Sequence, residues 1–157
     1  MCPETIRLPI TLRSPVSGQV LPLEEVGDDV FSRKLLGDGA AVLPSDGTIC
    51  APVDGIVGSI FSGGHAYTFT SPEGLEILVH VGLETVALEG APFRCFVSQG
   101  EAVKAGQVIA HADLDLIQRR GARTVTMLVV CEGAEECTMT KSSGCVQAGQ
   151  DVLLTLN

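Results

Sequence analysis

Basic residues are scarce in this chain of 157 residues: ten lysines and arginines stand against 19 aspartates and glutamates, a formal charge of −9. That balance repels nucleic-acid phosphates and anionic lipid surfaces, so nucleic acid is not an expected partner. Acidity of this kind serves plain solubility and can also steer a basic protein partner into contact. Long apolar runs are missing too. Although 45% of the residues are apolar, no run reaches the roughly 20 residues that a membrane-spanning helix needs. The start, MCPETIRLPI, has neither the basic nor the apolar region of a secretory signal. No membrane insertion and a cytoplasmic location are therefore expected. The six cysteines (Cys2, Cys50, Cys95, Cys131, Cys137, Cys145) form no CxxC pair and no zinc-ligand spacing, which favours free thiols.

What the chain does have is glycine and proline, 18 and 8 residues, placed as turn signals between short β-type runs. Gly37-Asp38-Gly39, Asp46-Gly47, Asp54-Gly55, Gly63-Gly64, Ser98-Gln99-Gly100 and Ser142-Ser143-Gly144 punctuate it. The runs between them predict strands at 41–43, 48–51, 55–60, 108–111, 125–130 and 152–156. Helix is minimal: short turns over 113–120, from an acidic cap to Gly121, and another over 134–139. The sequence also echoes itself. Ser14-Pro15-Val16-Ser17-Gly18-Gln19-Val20 resembles Ala51-Pro52-Val53-Asp54-Gly55-Ile56-Val57, and Val103-Lys104-Ala105-Gly106-Gln107 resembles Val146-Gln147-Ala148-Gly149-Gln150. The pattern predicts an all-β antiparallel sandwich or barrel built on a duplicated motif. Residues 1–11 read as a lead and 12–157 as one domain, and Met1 with so short a lead suggests a free-standing subunit.

Chemistry concentrates at two histidines. Runs His65–Thr70 and Leu75–His80 flank Ser71-Pro72-Glu73-Gly74, a four-residue hairpin loop by its turn residues. If Thr70 pairs with Leu75, Tyr67 faces Leu78 and His65 faces His80, with directly opposed β-carbons roughly 4.5–5.5 Å apart. Ile77, Val79 and Val81 then point to the core. Glu76, Leu78 and His80 point the other way, into a partly exposed apolar patch shared with Tyr67 and Phe69. Two imidazoles on one face suggest a phosphoryl-carrying site. The alternative is two unrelated histidines, and a register slip of one residue would separate the rings.

The stretch Leu78-Val79-His80-Val81-Gly82-Leu83-Glu84-Thr85-Val86-Ala87-Leu88-Glu89-Gly90 resembles the active-site strand of the glucose-type enzyme IIA components of the bacterial phosphoenolpyruvate-dependent sugar phosphotransferase system. Val30-Phe31, Gly37-Asp38-Gly39-Ala40-Ala41, Ala51-Pro52-Val53-Asp54-Gly55 and Gly64-His65-Ala66 stand in the family's order, so the resemblance covers essentially residues 12–157. It implies a β-sandwich with a duplicated hybrid motif and a phosphotransferase component working through phosphohistidine. A histidine-containing phosphocarrier protein would phosphorylate His80, which would pass the group to a cysteine of a sugar permease IIB domain. His65 would assist, and the Gly82 carbonyl would fix the His80 tautomer. Val30, Phe31, Phe61, Tyr67 and Leu78 would exclude water at the interface, and Asp28 and Glu84 would meet partner arginines. Sugar specificity would belong to the permease domains. The family pattern usually has Thr where this chain has Gly63, which implies a less preorganised site that a Thr at 63 would improve.

Two other readings compete. Ala51-Pro52-Val53-Asp54-Gly55 with Val103-Lys104-Ala105-Gly106-Gln107 also resembles biotinyl and lipoyl carrier domains, yet Lys34, Lys104 and Lys141 all lack the exposed hairpin setting of the modified lysine. A zinc hydrolase of related β-hybrid type would need a third ligand beside His65 and His80, and only His111, expected to be a surface or satisfied strand histidine, is left over. No cofactor is required by the phosphocarrier reading. Incidental zinc at His65 and His80, with a partner supplying a further ligand, is compatible with it.

Overall fold

A computed structural model describes residues 8–61 and 63–157. The chain runs through β1 (Ile10–Arg13), β2 (Gly18–Pro22), α1 (Asp29–Ser32), β3 (Asp38–Pro44), β4 (Thr48–Cys50), β5 (Gly55–Phe61), β6 (Ala66–Thr70), β7 (Glu76–Leu83), β8 (Phe93–Cys95) and β9 (Ala102–Val103). It continues through β10 (Val108–Ala112), α2 (Leu114–Arg119), β11 (Arg123–Glu132), β12 (Met139–Lys141), β13 (Cys145–Val146) and β14 (Val152–Leu156). An eight-stranded sheet in the order β13-β2-β3-β11-β7-β6-β5-β9 is accompanied by two three-stranded sheets, β1-β14-β12 and β4-β10-β8. Every ladder is antiparallel.

The echoes seen in the sequence make matched contacts. Gly106 N donates to the Ala51 carbonyl at 2.8 Å, and Gly149 N does the same to Ser14 at 2.8 Å. Ala105 N donates to Asp54 Oδ1 at 2.8 Å, while Ala148 N donates to Ser17 Oγ, also at 2.8 Å. Val103 pairs with Gly55 on one edge of the large sheet, and Val146 with Gly18 on the other. Repeated turn residues thus produce repeated hydrogen bonds, and the large sheet is flanked by the same short strand at both ends.

The sheet is buried on both faces near its centre. One face, with Tyr67, Phe69, Ile77, Val79, Val81, Leu128 and Val130, packs with Leu12, Leu154, Ile49 and Ile109 of the small sheets in the main core. The other, with Ala41, Ala66, Leu78, Met127 and Val129, is covered by Leu23, Val26 and Phe31 from the segment that contains α1. β11 is accordingly buried at seven successive positions, from Thr124 to Val130, as a strand covered on both faces must be.

Three expectations are corrected. Thr70 pairs with Glu76, not Leu75, so the β6–β7 loop has five residues, Ser71–Leu75. Ser71 N donates to the Leu75 carbonyl at 3.0 Å, Leu75 N donates back to Ser71 Oγ at 3.1 Å, and the fully buried Leu75 side chain enters the main core. Residues 134–139 form a turn and the start of β12, not a helix. β1 begins at Ile10, inside the expected lead, and pairs it with Leu156. The acidic start of the 113–120 segment holds: Asp113 Oδ1 caps α2 by accepting from Leu116 N at 3.1 Å.

Candidate functional site

The shifted register puts Ala66, not His65, opposite His80. His65 lies one residue before β6, where Val81 N donates to its carbonyl at 2.7 Å. In an uninterrupted ladder that place would send its side chain to the opposite face from His80. Gly63 and Gly64, at φ 79° and 104°, turn the chain just before it, and the ring reaches around the strand end. The His65 and His80 ring centroids stand 5.2 Å apart, edge to face at 79°. Phe31 covers His80 from the α1 side at 5.1 Å, and Phe61 lies 6.4 Å from His65. His65 is buried and His80 half-buried.

His80 Nδ1 is 2.8 Å from the Gly82 carbonyl. A carbonyl only accepts, so Nδ1 carries the proton and Nε2 keeps its lone pair. Gly82 is at φ 83°, and a β-carbon there would overlap the Thr85 methyl and lie 2.5 Å from the Arg123 carbonyl oxygen. Only glycine fits this position. Burial holds the His80 imidazole below the ordinary histidine range. The Gly82 carbonyl pulls it up, the neighbouring His65 adds to the lowering, and Asp28 opposes it. A neutral, nucleophilic ring at neutral pH is the result.

Asp28 is at once the α1 cap and a charge near the ring. Its Oδ1 accepts from Val30 N at 3.0 Å, and its carbonyl accepts from Ser32 N at 2.8 Å. Glu84 is exposed and adopts φ 64°, a left-handed conformation uncommon for a non-glycine residue, at the start of the 3₁₀ turn Thr85–Leu88. The expected apolar rim divides. Val30 and Phe61 are 41% and 45% exposed, whereas Phe31 and Leu78 are buried in the cluster beside His80. Tyr67 is a correction: with the true register it lies in the main core beneath the opposite face, fully buried, and cannot line a docking surface. Gly63 is another. A β-carbon there would overlap Gly90 Cα and lie 2.9 Å from Gly90 N, so the position excludes the family threonine by both space and φ.

Sequence reasoning overlooked Leu35 and Val86, 62% and 55% exposed on the segments that follow α1 and β7. Apolar residues on exposed turns carry no periodicity to reveal them. His111 sits in the small β4-β10-β8 sheet, paired with Arg94 and Thr48. Among the described residues no group of three or more His, Cys, Asp or Glu is arranged to hold a metal ion. His80 Nε2 and the His65 ring would offer zinc two imidazoles at most. Cys50, Cys95, Cys131, Cys137 and Cys145 are free thiols, and Cys2 lies outside the described residues. No described helix is long and apolar enough to cross a membrane.

Residues 10–136 match the profile of the phosphoenolpyruvate-dependent sugar phosphotransferase system, EIIA 1. The chain belongs to this EIIA type 1 family. It is 39% identical over 147 residues to the PTS system glucose-specific EIIA component of Haemophilus influenzae, covering 94% of this chain and 89% of that protein. It is 48% identical over 120 residues to the PTS system glucose-specific EIICBA component of Streptococcus pneumoniae, covering 76% of this chain and 16% of that longer protein. The fold is similar to that of glucose permease IIA from Mycoplasma capricolum, with a TM-score of 0.87 at 31% identity, over 96% of this chain and 97% of that one. This EIIA chain is therefore a component of a sugar phosphotransferase system with the expected antiparallel β fold.

Proposed function

We propose that this EIIA chain carries a phosphoryl group on Nε2 of His80, taking it from a histidine-containing phosphocarrier protein in the cytoplasm and passing it to a cysteine of a sugar permease IIB domain. The observation that carries the reading is the Nδ1 contact with the Gly82 carbonyl, which leaves Nε2 as the basic nitrogen beside a second imidazole. In the first transfer the Nε2 lone pair attacks phosphorus in line while the donor's N–P bond breaks and its electron pair returns to the donor. In the second, a cysteine thiolate attacks and the electron pair of the His80 N–P bond returns to Nε2. The Nδ1–H···O=C contact stabilises the positive charge that the ring acquires in between, and His65 serves the phosphoryl oxygens.

Relatives named as EIICBA components, of which this chain spans less than a fifth, support a permease as the partner and glucose as the sugar. Val30 and Phe61, exposed beside Phe31 and His65, offer a partner apolar contact next to the rings, with Asp28 and Glu84 as charges for a basic surface. A zinc ion would bind the two imidazoles only where a partner completes its ligand set. Phosphoryl relay with purified phosphocarrier and IIB proteins tests the reading. His80→Gln should accept nothing. His65→Gln should fold, accept the group on His80 and hand it on poorly, and undiminished donation by that variant would remove His65 from the mechanism.

A further inference from the structure

Four residues beyond Val81 lies a fully buried hydroxyl: Thr85 Oγ1 donates to the Val81 carbonyl at 2.7 Å. The methyl of the same side chain fills the space that a β-carbon on Gly82 would take, while the Arg123 carbonyl closes the other approach. One side chain therefore holds the Val81–Gly82 peptide twice. The hydroxyl fixes its carbonyl end, and the methyl packs against Gly82, which stands at φ 83°. Glycine has more backbone freedom than any other residue and needs such restraint to keep one conformation. The orientation of Gly82 sets the direction of its own carbonyl, and that carbonyl lies 2.8 Å from His80 Nδ1.

We propose that Thr85 is a positioning residue for phosphoryl transfer: by clamping the Val81–Gly82 peptide it keeps the Gly82 carbonyl aimed at His80 Nδ1, the proton on Nδ1 and the lone pair on Nε2. The proposal rests on the reading of His80 as phosphoryl acceptor. A merely structural threonine would affect stability alone, whereas the clamp sets a tautomer. Free of the clamp, the Gly82 carbonyl samples other directions, the ring proton moves between both nitrogens, and a fraction of the protein has no lone pair on Nε2.

The test is nitrogen NMR of the histidine rings in the full unphosphorylated chain, with melting temperature and phosphoryl acceptance measured on the same samples. In the native protein and in Thr85→Ser, which keeps the hydroxyl, His80 should show Nδ1 protonated and Nε2 bare. Thr85→Val keeps the methyl and loses the hydroxyl. It should show a mixture of tautomers and accept phosphate about tenfold more slowly, the loss expected for one hydrogen bond. Should the Val variant fail to fold, Thr85→Ala, which removes both contacts without adding bulk, serves at lower temperature. An unchanged tautomer in a folded variant lacking the hydroxyl overturns the clamp, whatever the melting temperature does. A native protein that takes no phosphoryl group overturns the functional reading and leaves the tautomer result standing.

Discussion

His80 is held neutral by its surroundings, and this gives it a pH signature. Burial lowers its pKa below the unfolded value of about 6.5. The folded state therefore binds the proton less readily than the unfolded chain, so this contribution to stability is fully present above about pH 6.5 and is lost as pH falls toward the lowered value. His80→Gln should flatten that part of the stability curve, measured by denaturant titration between neutral and mildly acidic pH. In the native protein, phosphoryl acceptance should persist into acid below the ordinary histidine range. A titration midpoint above 6.5 by ring NMR would contradict the burial argument. Gly63 bears on the second imidazole. Its φ of 79° and the Gly90 backbone against it leave no place for a side chain. Gly63→Thr should destabilise the fold by more than about 1 kcal/mol and slow transfer, the reverse of what the family pattern alone suggests. Equal melting temperatures would show that the 63–65 turn can rebuild itself. The two histidines were legible as residue types at the right separation. The backbone bend that joins them was not, because a turn of two glycines fixes no unique φ in sequence.

The element that covers the site is α1, a single turn of four residues, too short to persist without its cap and its buried Phe31. Two substitutions separate the tasks of Asp28. Asp28→Asn keeps an acceptor for Val30 N and removes the charge, so stability should hold while association with a basic partner slows and loses salt dependence. Asp28→Ala removes both, at a cost of about 0.5–2 kcal/mol, and should also loosen Phe31 from His80. Thermal melts with stopped-flow association at two salt concentrations distinguish the outcomes. Equal melting temperatures for the two variants would deny the cap any weight. Strand runs and turn signals revealed most of the large sheet in advance. The β6–β7 register was missed because Leu75 reads as the first residue of a strand, whereas its side chain enters the core from the loop and the Ser71 hydroxyl bonds its backbone. That one-residue error also placed Tyr67 on the wrong face.

At the scale of the molecule, the repeated Pro-Val-x-Gly and Ala-Gly-Gln segments foretold a duplicated fold, and the matched bonds of Gly106 with Ala51 and Gly149 with Ser14 show how the repeat is used. The second apolar cluster was harder to foresee. Its members come from the 23–31 segment and from strands that also face the main core, so no single alternation pattern separates them. This cluster supports His80 from below and Phe31 covers it from the side, which leaves Nε2 as the atom on which function depends. The most direct test is nitrogen and phosphorus NMR of the chain after incubation with phosphoenolpyruvate and the general phosphotransferase proteins. The account predicts one phosphoryl group, labile in acid and stable in alkali, coupled to Nε2 of His80 with Nδ1 still protonated. A phosphoryl group on Nδ1, on His65, or on a serine or cysteine would contradict it.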